Sequence, residues 1–248
     1  MIEREERDGI VTLRLAHGKA SAMDVELMEA FGNALDAAHD ARAIVLTGTG
    51  SIFSAGVDLF RLTNEGPEYV QRFFPLLRDG IRKLFTMPVP VVAACGGHAI
   101  AGGCILVEAC DYRLMAEGNG RIGVPELLVG VPFPTAALEV VKFGAPAAVA
   151  PLVLTGRTLL PREALAFGLL DEVVDAASLQ ERAFAMATQL ATIPRQSFRL
   201  TKAALRAEAV ERMSSDRAVS NDEQALAVWS DPAVHAAIRD YLARTVRK

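Results

Sequence analysis

Val89-Pro90-Val91-Val92-Ala93-Ala94-Cys95-Gly96-Gly97-His98-Ala99-Ile100-Ala101-Gly102-Gly103-Cys104 is the stretch on which the fold turns. Its first part is a short apolar run closed by glycines, which reads as a buried strand. The glycine-bearing part that follows, Gly96 to Cys104, lets backbone N–H groups come close to a ligand because little side chain stands in the way. The same arrangement occurs upstream, where Ala43-Ile44-Val45-Leu46 precedes Phe53-Ser54-Ala55-Gly56-Val57-Asp58-Leu59. Two such segments can aim two N–H donors at one oxygen, the device that stabilises an enolate or a tetrahedral oxyanion. The pattern is that of an α/β chain built to polarise a carbonyl.

Working outward, Gly9 to Leu15 alternates like a half-buried strand. Asp24 to Ala38 carries Val25, Met28, Phe31 and Leu35 near helical spacing. Tyr69 to Phe85 puts Phe73, Leu76, Leu77, Ile81 and Leu84 on one broad helical face, and Pro88 and Pro90 end it. A helix is expected from Gly102 to Ala109, then short strands at Tyr112–Met115 and Arg121–Gly123. The second half reads as mainly helical, with helices expected over Thr135–Phe143 and Pro146–Leu154. Pro161 sits in the first turn of a short helix that Gly168 ends. Ser178 and Glu181 have capping-box spacing and open a helix that stops before Pro194. Asp231-Pro232 reads as an N-cap with Pro at the first helical position, followed by an apolar face of Val234, Ala237, Ile238, Tyr241 and Leu242. That face must bury against its own domain or a neighbouring subunit. No Ser/Gly/Pro-rich linker, low-complexity tract or internal repeat divides the chain.

The 248 residues are 51% apolar and carry a formal net charge of -4 with acids and bases interspersed, so a substantial core is affordable and no basic block points to nucleic acid. Apolar runs break well before the roughly 20 residues of a membrane span. The charged start, Met1 to Arg7, lacks the apolar centre of a signal peptide. Cys95, Cys104 and Cys110 lie in or beside apolar stretches and read as buried free thiols of a cytoplasmic protein.

Metal binding has little support, since His17, His39, His98 and His235 are dispersed. A Cys104–His98 nucleophilic pair is conceivable from spacing, but the apolar surroundings favour a packed thiol. Neither glycine segment matches the phosphate loop or the complete dinucleotide fingerprint. Downstream, Arg121-Ile122-Gly123-Val124-Pro125-Glu126-Leu127-Leu128-Val129-Gly130 places one carboxylate, Glu126, in an apolar run. A desolvated carboxyl has a raised pKa, which suits a group that must both accept and donate a proton.

Together these residues resemble the crotonase superfamily, the enoyl-CoA hydratase/isomerase family, over nearly the whole chain. Gly18 to Asp24 resembles its early acyl-CoA segment, with Ser21 where Asn is usual. Phe53–Leu59 and Ala101–Cys104 resemble its two oxyanion segments, and Pro125-Glu126 the segment bearing a catalytic Glu. Leu154–Arg157, Ala164–Val174 and Thr201–Leu205 resemble its later regions. The resemblance implies a spiral of ββα units with a helical C-terminal trimerisation region. It places an α/β core at 1–190 and a C-terminal helical part of the same family domain at 191–248. The Val57 and Gly102 N–H groups would hold the thioester oxygen of an acyl-CoA, and Glu126 would move the proton. Lys19, Ala20, Ala22, Ala55, Gly56, Val57, Asp58, Leu59, Gly102 and Pro125 would contact the substrate. No metal or separate cofactor is implied, CoA arriving with the substrate, and the expected assembly is a homotrimer or a dimer of trimers.

Departures from the pattern steer the chemistry. The family's hydratases use two glutamates, and the second would fall at Ile105. Hydration divides water activation and carbon protonation between two carboxylates, whereas moving a double bond needs one shuttle. The reading is therefore an enoyl-CoA isomerase. Hydration with a different second acid, decarboxylation, thioester hydrolysis or non-catalytic acyl-CoA binding remain alternatives. Glu108 and Glu139 are the carboxylates to check as a second acid. Pro134 stands where dienoyl-CoA isomerases would show Asp, and Phe60 where many relatives have a Lys that meets CoA phosphates, a role that Arg61 or Lys19 would have to take over.

Overall fold

A computed structural model describes residues 1–245. The chain opens with an antiparallel hairpin, β1 (Ile2–Arg7) and β2 (Ile10–Leu15), which pair from Ile2↔Leu15 to Arg7↔Ile10. Strand β1 is missed by a reading that takes Met1 to Arg7 only as a charged start. Its signal is Asp8-Gly9, both at positive φ (55° and 76°), the dipeptide that two-residue hairpin turns favour.

Beyond β2 the sheet is parallel. It runs β1-β2-β3-β5-β7-β10, with β3 (Ala43–Thr47), β4 (Ile52–Ser54), β5 (Val91–Cys95), β6 (His98–Ile100), β7 (Tyr112–Ala116), β8 (Ile122–Gly123), β9 (Thr158–Leu159) and β10 (Glu172–Val174) in chain order. Every residue of β3 and β5 is buried, as expected of strands covered on both faces. The period of two divides them. Ile44, Leu46, Val91, Ala93 and Cys95 enter the main core, with α1 (Val25–Ala37) and α3 (Pro67–Phe85). Val45, Val92 and Ala94 face Leu179, Ala183 and Met186 of a helix at Leu179–Leu190 on the other side.

A second sheet runs β4-β6-β8-β9. Three times the chain crosses the large sheet, crosses the small one, and turns into a helix: β3-β4 then α2 (Leu59–Glu65) and α3; β5-β6 then α4 (Gly102–Glu108); β7-β8 then a 3-10 turn at Glu126–Val129. These repeats are the spiral of ββα units that the resemblance implies. Helices α5 (Thr135–Gly144), α6 (Val149–Thr155), α7 (Pro161–Ala166), α8 (Leu179–Leu190), α9 (Arg195–Met213), α10 (Asp216–Trp229) and α11 (Pro232–Thr245) follow.

The helical C-terminal part docks on the core through buried polar clamps. Lys202 pairs with Asp111 at 2.6 Å and Arg206 with Asp111 at 2.8 Å. Arg206 also donates to the carbonyls of Phe85, Ala109 and Cys110, the last two just beyond α4. Trp229 donates from Nε1 to Pro132 O at 2.7 Å, and Asp222 Oδ1 accepts the Thr135 N–H at 2.7 Å.

Three expectations need correction. The helix expected from Pro146 starts at Val149, after a turn in which Ala148 N–H donates to Ala145 O. Ser178 makes no side-chain cap to α8; its hydroxyl donates back to Asp175 O at 3.0 Å, and Glu181 pairs with Arg7. On α11 the buried residues are His235, Ile238 and Leu242, with Ala237 exposed, and the helix packs on its own chain against α2 and the Glu126 turn.

Candidate active site

Each turn of the spiral leaves the small sheet in the same direction, at Ser54, Ile100 and Gly123. Because β4, β6 and β8 are parallel neighbours, the segments that follow them, carrying Val57, Gly102 and Glu126, emerge side by side. Ala101 N–H donates to Gly123 O at 2.8 Å, tying the second segment to the third. Gly56 meets the second segment so closely that a Cβ there would lie 2.8 Å from Ala101 Cβ and from Ile100 O. Its φ of +81° is a second reason for glycine.

In the first segment the neighbouring amides are occupied. Ala55 N–H donates to Ala20 O (3.0 Å), Gly56 N–H to Ser54 Oγ (3.1 Å) and Asp58 N–H to Met23 O (2.9 Å). The Val57 N–H has no acceptor among the described residues, and the Met23–Val57 bridge beside it is parallel. In the second segment Gly102 is the first residue of α4, where helical N–H groups have no partner in their own helix. Ala101 before it sits at φ 52°, ψ -123°, a conformation costing a non-glycine residue about 1–3 kcal/mol. That strain turns the start of α4 toward the first segment. Met23 Sδ would lie 2.8 Å from a Cβ on Gly102, so a side chain there would have to push Met23 aside.

Glu126 opens the 3-10 turn after Pro125, and Gly130 closes the turn in the left-handed conformation. Its carboxyl is buried, and neither oxygen has a hydrogen-bond partner among the described residues. Burial pushes its pKa up to about 8, against a smaller pull from its own backbone amide, and no charged group contributes. Ile105, where the resemblance would put a second glutamate, is buried in the apolar core. The arrangement offers two unpaired backbone donors and one desolvated carboxyl, equipment for shifting a proton beside a carbonyl.

The pattern of matched positions extends along the chain. The sequence profile of the enoyl-CoA hydratase/isomerase family matches residues 5–236. The chain belongs to the enoyl-CoA hydratase/isomerase family. Among its relatives is a putative enoyl-CoA hydratase of Thermus thermophilus, 37% identical over 73% of this chain and 72% of that protein. Another is the mitochondrial enoyl-CoA delta isomerase 1 of Rattus norvegicus, 29% identical over 88% of this chain and 77% of that protein. Among solved structures, a Mycobacterium tuberculosis protein described in one as an enoyl-CoA isomerase and in another as a probable enoyl-CoA hydratase matches with TM-scores of 0.79 and 0.82 at 31% identity, covering 91% of this chain and 97% of that one. Human mitochondrial delta3-delta2-enoyl-CoA isomerase shares the fold at TM-score 0.92 with 23% identity, covering 98% and 97%. Relatives named for both reactions stand at similar distances.

Within this family member the other expected residues fall as follows. Ala20 and Ala22 are half-buried beside the first segment, Lys19 is exposed, Ala55 is exposed, and Asp58 and Leu59 are half-buried at the start of α2. Arg61, which with Lys19 could take over the phosphate contact of the missing lysine, pairs with Asp24 (3.3 Å), Glu65 (2.6 Å) and Glu26. Glu108 is committed to Arg113 at 2.7 Å, and Glu139 to Lys142 and Arg212, both at 2.6 Å. Neither contributes to the shift at Glu126. His98 accepts the Arg121 N–H at its Nδ1, and burial pushes the Cys104 thiol far up, so no nucleophilic pair forms.

A positioning residue passed over in the sequence is Ser54. Its buried hydroxyl donates to Ser21 O at 2.7 Å and accepts the Gly56 N–H, and a Cβ on Gly103 would strike its carbonyl oxygen at 2.4 Å. Ser21 itself stands at φ 43°, with Oγ donating to Leu15 O. Only the run of small residues around Ser54 hinted at this.

Proposed function

We propose that this protein is an enoyl-CoA isomerase that shifts a double bond from C3–C4 to C2–C3 of an acyl thioester. The observation that carries the reading is the isolation of Glu126: one buried carboxyl, raised to about 8 by burial alone, with no second charged group acting on it. Ionised Glu126 takes a proton from C2 of the 3-enoyl thioester. The C–H electrons flow into the carbonyl, giving a dienolate whose oxygen accepts the Val57 and Gly102 N–H groups. The protonated carboxyl then returns the proton at C4, and the electrons fall back to form the C2=C3 bond. These donors act mainly on charge that develops in the transition state, where one such donor is typically worth roughly 3–4 kcal/mol. No water is consumed and no second acid is needed.

Hydration is the rival reading, supported by hydratase names such as that of the Thermus thermophilus relative. Separate incubation with 3-enoyl-CoA and 2-enoyl-CoA distinguishes them. Double-bond migration with little water addition is expected; full hydration of 2-enoyl-CoA without migration would sink the assignment. Glu126→Gln should abolish turnover and leave acyl-CoA binding largely intact. The same reading assigns residues 1–190 to the catalytic core. It gives residues 191–248 the role of joining subunits into a trimer or a dimer of trimers.

A further inference from the structure

The Val57 amide points where residues 55–58 hold it, and those residues are held from outside. They lie along the loop His17–Met23. Ala55 and Asp58 donate to Ala20 O and Met23 O, and Met23 N–H donates back to Gly56 O at 2.7 Å. Ser21 in that loop stands at φ 43°, a strained value for serine, so the loop needs support at its ends.

Asp24, buried and next after Met23, supplies it. Its Oδ1 accepts the Leu27 N–H at 2.8 Å and caps α1. Its Oδ2 makes two bonds that the cap does not need. One comes from His17 Nε2 at 2.7 Å, at the start of the loop; the other comes from Arg61 at 3.3 Å, in the first turn of α2. Glu26 and Glu65 fix the rest of that guanidinium. Helix α2 itself starts from Asp58, the neighbour of Val57, whose carboxylate accepts the Arg61 N–H at 3.0 Å. One oxygen therefore closes the loop through His17 and fastens α2 through Arg61, and Val57 lies between the two fastenings. Burial raises the pKa of Asp24, but the bonds from Leu27, His17 and Arg61 outweigh it and hold the carboxyl below its ordinary value. An ionised carboxylate only accepts, so His17 carries its proton on Nε2.

We infer that Asp24 is a positioning residue for the proton transfer, joining His17 to Arg61 so that the Val57 N–H is aimed at the developing enolate oxygen, a role that rests on the acyl-thioester reading above. Misplacing a group at such a site by about 1 Å can cost roughly a hundredfold in rate.

The test uses Asp24→Asn, whose amide oxygen still caps Leu27 while its NH2 accepts from neither His17 nor Arg61. With 3-enoyl-CoA, kcat should fall about tenfold or more and KM change less than about threefold. The second readout is acetoacetyl-CoA, whose enolate has its own ultraviolet band. Bound to the variant, it should ionise about one pH unit or more above its midpoint on the parent. Adding His17→Phe to Asp24→Asn should cost nothing further, since both remove the same link. A kcat within about twofold of the parent, a loss of kcat with no shift of the enolate midpoint, or additive losses overturn the inference. If Asp24→Asn does not fold, His17→Phe alone is read by kcat and by the enolate midpoint, with the same outcomes deciding. A parent that moves no double bond yet lowers the midpoint of acetoacetyl-CoA sinks the isomerase reading and leaves Asp24 to be decided by the enolate band. A parent that leaves that midpoint at its value in free solution overturns both.

Discussion

Glu126 ties pH to both activity and stability, and the two effects have opposite sign. Proton abstraction needs the ionised carboxyl, so kcat/KM for 3-enoyl-CoA should rise with pH through an apparent pKa near about 8. Stability runs the other way. The folded pKa is raised from an ordinary 4.5 to about 8, so the protonated form favours the fold. That contribution is complete below about 4.5 and is lost as pH rises through about 8. Glu126→Gln should therefore melt at higher temperature than the parent at pH 8 and above, by the equivalent of a few kcal/mol, the gain vanishing near pH 4.5. Comparing the pair cancels Glu108, whose carboxyl burial likewise raises to about 8. Gly56→Ala tests the neighbouring contact. It combines positive φ with overlap against Ala101 and Ile100, so a loss of roughly 1–3 kcal/mol and a fall in kcat are expected from melting and steady-state kinetics.

Helix α4 shows how an element serves the site from both ends. Its first residue supplies an unpaired N–H, while the carbonyls just past its last residue accept Arg206. Arg206→Met leaves those carbonyls and Asp111 short of a partner in a buried place. A cost of about 3–5 kcal/mol is expected in denaturant unfolding, larger than for any surface ion pair such as Arg4–Glu6. Elements with a strong period were legible: α1, α3, β2, β3 and β5 stand where their apolar spacing puts them. The short strands β4, β6 and β9 were not, because two or three residues carry no period and are fixed by their neighbours in the small sheet. Ser178 failed as a cap for a related reason: its hydroxyl found an acceptor in the preceding turn. Of the site, the glycines and Glu126 could be read from residue type. The amide bookkeeping that leaves Val57 without an acceptor could not, because Ala20 and Met23 approach from a segment distant in sequence.

At the scale of the whole molecule, Leu200 and Leu205 on α9 and Leu154 on α6 stand 54%, 67% and 72% exposed. The proposed trimer has to cover surface of this kind. Leu205→Glu should lower the mass measured by light scattering if α9 lies in the subunit contact; an unchanged mass would remove α9 from it. The small sheet has a consequence for how the protein comes into being. A chain emerging from the ribosome has made both amide-bearing segments by Gly103, yet Ala101 finds its acceptor only when Gly123 arrives, and Glu126 follows three residues later. Of the two helices that pack on the Glu126 turn, α6 and α11, the second follows about a hundred residues later. Parallel strand pairing between distant stretches forms slowly. The cradle for the oxygen is thus synthesised before the base, and a chain stalled between Gly103 and Glu126 carries the one without the other.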